Sequence, residues 1–149
     1  MNIVYENTFE GFIGTELWED NIEITHRANK YNLILTIAEN IPDEFKVIGK
    51  EDDCEDWTFY MNDFIKNVSI SLHISDTEIT VEEANENQIL LSMGELNLGG
   101  SYYGYSEWSI EGLSLDNFML IGNGGQHDLY KIIKEYEGKY MILDIKIYR

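Results

Sequence analysis

Residues 68–74 read VSISLHI, which places Val68, Ile70, Leu72 and Ile74 on one side of an extended chain and Ser69, Ser71 and His73 on the other. Successive side chains of a strand point to opposite faces, so this alternation predicts a strand with one face on a core and one on solvent. The SDT that follows reads as a turn into EITVEE, where Ile79 and Val81 continue the apolar side. QILLSMGELNL alternates through Ile89, Leu91 and Met93 and then changes phase to Leu96 and Leu98, which a bulge at Gly94 would reconcile with a single buried face.

The pattern extends in both directions. NIEIT and YNLILTI alternate about the ANK turn, a hairpin signal with Ile22 and Ile24 on the same side as Tyr31, Leu33, Leu35 and Ile37. The final YMILDIKIY buries Met141, Leu143, Ile145 and Ile147 and turns Asp144 and Lys146 outward. Two segments break the alternation. Trp57, Tyr60, Met61, Phe64 and Ile65 recur at three-and-four spacing, predicting a helix over DWTFYMNDFIKN, and Leu129, Ile132, Ile133 and Tyr136 do the same in HDLYKIIKEYEG, with Gly138 as the stop. Residues 38–56, which hold the only proline, read as a long loop. Short strands joined by short turns, with two helices that do not alternate with them, indicate an α+β fold. It is built on a mostly antiparallel β-sheet of about eight short strands with two short helices, in a single domain spanning 1–149.

At 149 residues a domain buries roughly two-thirds of the surface its unfolded chain exposes, enough for a core without covalent staples. The single Cys54 offers no internal disulfide, the start MNIVYENTFEGF lacks a leader pattern, and no apolar run reaches membrane-spanning length. A cytoplasmic location and no membrane partner are the expectation.

The formal charge is −18. Between Lys66 and Lys131 there is no lysine or arginine but there are ten acids, whereas five of the ten basic residues, Lys131, Lys134, Lys139, Lys146 and Arg149, fall in the last nineteen positions. Such a field repels nucleic acid and anionic membrane and accelerates encounter with a basic protein. The densest acidic stretch is KEDDCEDW, Lys50–Trp57, with Glu51, Asp52, Asp53, Glu55 and Asp56. One or two of these acids would cap the expected helix, and the surplus asks for a cation or a partner. Consecutive acids with no central glycine do not fit a calcium loop, and Cys54 is a poor neighbour for a hard ion, so no metal is expected.

Catalytic motifs are missing. No G-x-S-x-G elbow occurs, Cys54 sits among carboxylates that blunt a thiol, and His26, His73 and His127 form no H-x-H or H-E-x-x-H pair. GNGGQHD, Gly122–Asp128, has the glycines of a phosphate loop but no Lys-Ser/Thr pair, and it reads as a tight turn with Asp128 as a helix N-cap. No catalytic residue and no cofactor are expected. In LGGSYYGYSEW, Tyr103, Tyr105 and Glu107 share one face if Trp108 points to the core, offering stiff amphipathic surface beside a carboxylate.

The reading is a non-catalytic acidic binding protein that inhibits a basic, nucleic-acid-acting protein in the manner of immunity proteins. Glu51, Asp52, Asp53, Glu55, Asp56, Tyr103, Tyr105 and Glu107 would contact the partner. Two alternatives use the same sequence: a phage-type DNA mimic that disarms a restriction or CRISPR nuclease, and a small-molecule-binding protein or enzyme with a pocket near His73 or the glycine loop.

Overall fold

The computed structural model describes residues 1–14, 22–45, 47–50, 58–102, 113–122 and 124–149, with the backbone alone described at 47–50, 58–64, 99–102 and 113–116. Among these residues nine strands form one antiparallel sheet. They are β1 (Ile3–Ile13), β2 (Glu23–His26), β3 (Asn29–Asn32), β4 (Val47–Lys50), β5 (Thr58–Ser75), β6 (Gln88–Tyr102), β7 (Leu113–Gly122), β8 (Gly125–Asp128) and β9 (Tyr140–Tyr148). Eight of them lie in the order β3-β2-β1-β9-β5-β6-β7-β8, and β4 pairs with β5. Helix α1 (Leu33–Asn40) follows β3 and helix α2 (Leu129–Lys134) precedes β9. The fold is thus α+β and mostly antiparallel sheet, as the alternation predicts.

The C-terminal strand sits at the centre. β9 pairs with β1 from Phe12↔Tyr140 to Ile3↔Tyr148 and with β5 from Ser75↔Tyr140 to Val68↔Ile147. Its Met141, Leu143, Ile145 and Ile147 join Val68, Ile70 and Leu72 of β5 in one core, which α1 closes with Leu33, Ile34, Ile37 and Ala38 and α2 with Leu129 and Ile133. The expected α2 is present. Its N-cap Asp128 accepts a hydrogen bond from the Lys131 N–H at 3.2 Å, and Gly138, at φ 78°, turns the chain into β9.

Elsewhere the local patterns misassign the elements. DWTFYMNDFIKN is not a helix: from Thr58 onward the chain is the first half of β5. Asn62 pairs with Leu98, Ile65 with Leu96 and Val68 with Gly94, so β5 twice advances three residues while β6 advances two. Each step is a β-bulge, Asn67 takes φ 58° in the second, and the inserted residues give an extended strand the three-residue spacing of a helix. No helix begins after residues 51–57, so the capping role expected of Asp53, Glu55 and Asp56 has no helix to serve.

The second helix lies where a strand was expected. The hairpin of β2 and β3 turns through Arg27–Ala28, with Arg27 at φ 59°, but the partner strand stops at Asn32. The Asn32 side chain accepts from the Leu35 N–H at 3.0 Å and starts α1, so Leu33, Ile34, Ile37, Ala38 and Ile41 bury a helical stripe rather than an alternating face. Residues 38–56 are also not one loop, because they include the end of α1, a 3-10 turn at Asp43–Phe45 and β4.

EITVEE forms no strand. Thr80 opens a capping box with Glu83 and leads a 3-10 segment, Val81–Asn87, which lies over the sheet face opposite the two helices and covers Tyr140 and Ile142 with Ala84 and Ile79. Val81 is exposed. From Leu90 onward β6 keeps one phase: Leu96 and Leu98 are buried while Leu91 and Met93 are exposed on the other face. The bulges flanking this register lie in β5 between Asn62 and Val68 and in β6 between Gln88 and Leu90, not at Gly94. The small residues Ser92 and Gly94 stand opposite Ile70 and Val68 and fill the core-facing positions.

Candidate functional site

The eight side chains expected to meet a partner, Glu51, Asp52, Asp53, Glu55, Asp56, Tyr103, Tyr105 and Glu107, lie outside the described residues. The strands that carry them are described. Lys50 pairs with Thr58, so residues 51–57 join the adjacent ends of β4 and β5, and Tyr102 pairs with Leu113, so residues 103–112 join β6 to β7. From the Asn62↔Leu98 pair, β5 runs back toward Thr58 and β6 runs on toward Tyr102 in the same direction. The acidic and tyrosine segments therefore both leave the sheet at one end, although about fifty residues of sequence separate them.

At the other end the outer face carries a cleft that sequence motifs do not reveal. Glu10 of β1 accepts a hydrogen bond from the Tyr140 hydroxyl on Oε2 at 2.8 Å, and its backbone carbonyl accepts from the Tyr31 hydroxyl at 2.8 Å. His26 Nε2 stands 3.9 Å from Glu10 Oε1 and 4.0 Å from Glu78 Oε1. Two cavities meet at this carboxylate and imidazole. One, of about 330 Å³, is lined by Thr8, Phe9, Tyr31, Thr36 and Asn40, and the other, of about 430 Å³, by Arg27, Glu78, Thr80, Glu83 and Tyr140.

Both phenols resist ionisation. Burial pushes Tyr31 up to about 12, against a smaller opposing effect of its bond to the Glu10 carbonyl. Burial raises Tyr140 further, and its hydrogen bond to the Glu10 carboxylate and the charges of Glu10 and Glu78 act in the same direction. The phenols are thus fixed donors, and the cleft presents carboxylate oxygens to whatever enters, a chemistry suited to a cation. Individual residues far apart in sequence, with 130 positions between Glu10 and Tyr140, leave no local pattern to find.

His73 is not on an open polar face. It is 2% exposed, beneath the 3-10 segment. Its Nδ1 lies 2.7 Å from the Ala84 carbonyl oxygen, which only accepts, so Nδ1 carries the proton. Nε2 lies 2.7 Å from Ser71 Oγ and 3.3 Å from Asp144 Oδ2, and Asp144 Oδ1 accepts from the Thr8 hydroxyl at 2.6 Å. Serine, histidine and aspartate meet here without forming a relay, because a triad needs its hydroxyl and its carboxylate on opposite ring nitrogens. The imidazole instead fastens the 3-10 segment to the sheet.

The glycine loop behaves as a turn: Gly122 pairs with Gly125, and Asp128 caps α2. Neither of the two cavities at Glu10 is lined by His73 or by residues 122–128. Among the described residues no group of three or more His, Cys, Asp or Glu is placed to hold a metal ion, and no helix is long and apolar enough to cross a membrane. No protein-family model, curated protein or solved structure matches the chain.

Proposed function

We propose that the protein is a non-catalytic acidic binding protein that inhibits a basic protein partner whose own ligand is nucleic acid. The observation that carries this reading is the common exit of residues 51–57 and 103–112 from one end of the sheet. Five carboxylates at one exit would supply long-range attraction, and Tyr103 and Tyr105 at the other would supply the few anchors on which tight complexes depend. A groove that receives phosphates presents arginine and lysine, which pair with carboxylates and stack on phenol rings. A toxin-neutralising immunity protein and a DNA-mimicking nuclease inhibitor share these requirements.

The test uses affinity capture from the source cells at low and moderate salt, followed by kinetics with the captured protein. Replacing Asp52, Asp53, Glu55 and Asp56 together by Asn and Gln should slow association at least tenfold at low salt and flatten its salt dependence, while Tyr103→Ala with Tyr105→Ala should raise the dissociation rate. Unchanged rates in both variants would remove this end of the sheet from the contact.

The cleft at Glu10 supports a second reading, a protein that binds a small cationic molecule, since its volume of about 430 Å³ lies within the range of ligand pockets. Under that reading a Glu10→Gln variant loses a calorimetric binding signal for simple diamines. Under the first it leaves partner binding intact.

A further inference from the structure

The cavity of about 430 Å³ beside Glu10 is lined by a cation as well as by acids. Arg27 shares it with Glu10, Glu78 and Glu83, yet no ion pair or hydrogen bond engages the guanidinium among the described residues. One wall of the cavity thus offers carboxylates, and the hairpin turn offers a free fork of N–H donors.

The acids have already taken up the donors around them. The Tyr140 hydroxyl gives its proton to Glu10 Oε2, and the Thr80 hydroxyl and N–H both bond to Glu83 Oε1, at 3.0 and 3.2 Å. Glu10 Oε1, Glu83 Oε2 and the Glu78 carboxylate are left as acceptors without a hydrogen bond from the described residues. Ile79, partly buried against the Tyr140 cluster, and the exposed Val81 add apolar surface to the same lining.

Three features of a ligand would satisfy these groups together. An ammonium donates to Glu10 and Glu78, a short hydrocarbon body lies against Ile79 and Val81, and a carboxylate accepts two parallel bonds from Arg27. A dication would bring its second ammonium against the guanidinium, and a monocation would leave the guanidinium unused. We infer, resting on the small-molecule reading of this cleft, that it takes a small zwitterion of the amino-acid class, with an ammonium and a carboxylate joined by a short hydrocarbon chain.

Arg27 is the residue that separates this ligand from a simple cation, and its place in the fold makes it open to substitution. It holds the first of the two central positions of the β2–β3 hairpin, with φ 59°. Glycine is the residue such a position favours, so Arg27→Gly removes the guanidinium without opposing the turn. The test is isothermal titration calorimetry of the full chain with ω-amino acids of three to six carbons, each compared with the diamine of the same chain length. Salt at about 0.15 M screens the general attraction of diamines to a chain of −18. The parent should bind the best ω-amino acid about tenfold more tightly than its matched diamine, the margin of one hydrogen bond to a charged group. Arg27→Gly should reverse the order. It weakens the ω-amino acid about tenfold and strengthens the diamine, whose second ammonium no longer meets a cation. Diamines that bind the parent as tightly as the ω-amino acids would overturn the inference while keeping a cationic ligand for the cleft. An ω-amino acid affinity that survives Arg27→Gly would overturn it as well. Absence of binding by both classes would overturn it together with the small-molecule reading.

Discussion

Tyr140 and Tyr31 make the stability of the fold sensitive to alkali, with a sign and a size that follow from the Glu10 cluster. A tyrosine in an unfolded chain ionises near pH 10, whereas Tyr31 holds its proton to about 12 and Tyr140 is shifted in the same direction. Between these limits the unfolded state has released protons that the folded state still binds. Stability therefore carries its full contribution below about pH 10 and falls as pH rises toward the folded values. For Tyr31 the two-unit shift corresponds to about 2.7 kcal/mol if unscreened, and its half-buried ring reduces that to about 1 kcal/mol.

Tyr140→Phe tests the same cluster at neutral pH. The substitution removes the hydroxyl that donates to Glu10 Oε2 at 2.8 Å and keeps the ring, which packs edge-on against Phe12 at 5.0 Å between centroids. A hydrogen bond to a charged group contributes about 1.5–3 kcal/mol, and the lower end applies because Glu10 remains partly in contact with water. Urea unfolding at pH 8 should show a loss of about 1.5 kcal/mol with an unchanged denaturant slope. Repeated in steps to pH 11.5, the decline above pH 10 should be shallower in Tyr140→Phe and in Tyr31→Phe than in the parent, and absorbance at 295 nm should show one fewer late-ionising phenol in each. A Tyr140→Phe protein with the parent's stability and the parent's alkaline slope would refute the reasoning, because the phenol would then not be held by Glu10.

Two further outcomes test the elements that local patterns misassign. Asn32→Ala removes the side chain that accepts from the Leu35 N–H, and thermal unfolding should report a loss of about 1 kcal/mol, whereas a continuing strand would be indifferent to it. Gly94→Ala should cost about 3 kcal/mol or more in denaturant unfolding, since a Cβ there would lie 2.1 Å from the Ile121 carbonyl oxygen and 2.6 Å from the Gly122 Cα, backbone that cannot step aside.

The parts of the fold legible in the sequence are those whose neighbours impose the same rule as their own chemistry. β9 is flanked by β1 and β5 and faces both helices, so its alternation is also its burial, and α2 announces itself through Asp128 and Gly138. The first half of β5 was illegible because a bulge depends on the register of a partner strand. Only the pairs Asn62↔Leu98, Ile65↔Leu96 and Val68↔Gly94 show that its three-residue spacing is an extended chain with two insertions. In LILTIAEN the apolar residues satisfy both periods, and the Asn32 cap decides between them. For β6 the hydrophobic pattern points the wrong way: the core-facing positions hold Ser92 and Gly94, and at Gly94 the Ile121–Gly122 backbone of β7 leaves no room for a Cβ.

The candidate sites divide along the same line. Composition alone brings out the acidic and tyrosine segments, and topology adds that they share an exit. The Glu10 cleft depends on a strand, a hairpin and a covering segment coming together, and no one of them carries a signal.

The basic residues at the C-terminus acquire their meaning from β9 standing in the centre of the sheet. Lys139 pairs with Asp76, Lys146 lies 3.8 Å from Glu6, and Arg149 reaches Glu44 at 2.9 Å and covers the Phe45 ring. Each of these pairs ties the last strand to a segment far away in sequence, and each is surface exposed, where an ion pair contributes little to stability. Their larger effect is on where the charge remains. Three of the five C-terminal cations are engaged with acids of β1, of the 3-10 turn after α1 and of the turn after β5, while the five acids of 51–56 have only Lys50 adjacent in sequence. The cations that flank the central strand are thus paired locally. An uncompensated charge opposes the compact state wherever it is placed. Under the proposed function, the acids of 51–56 would find their counter-charge on an incoming cationic surface.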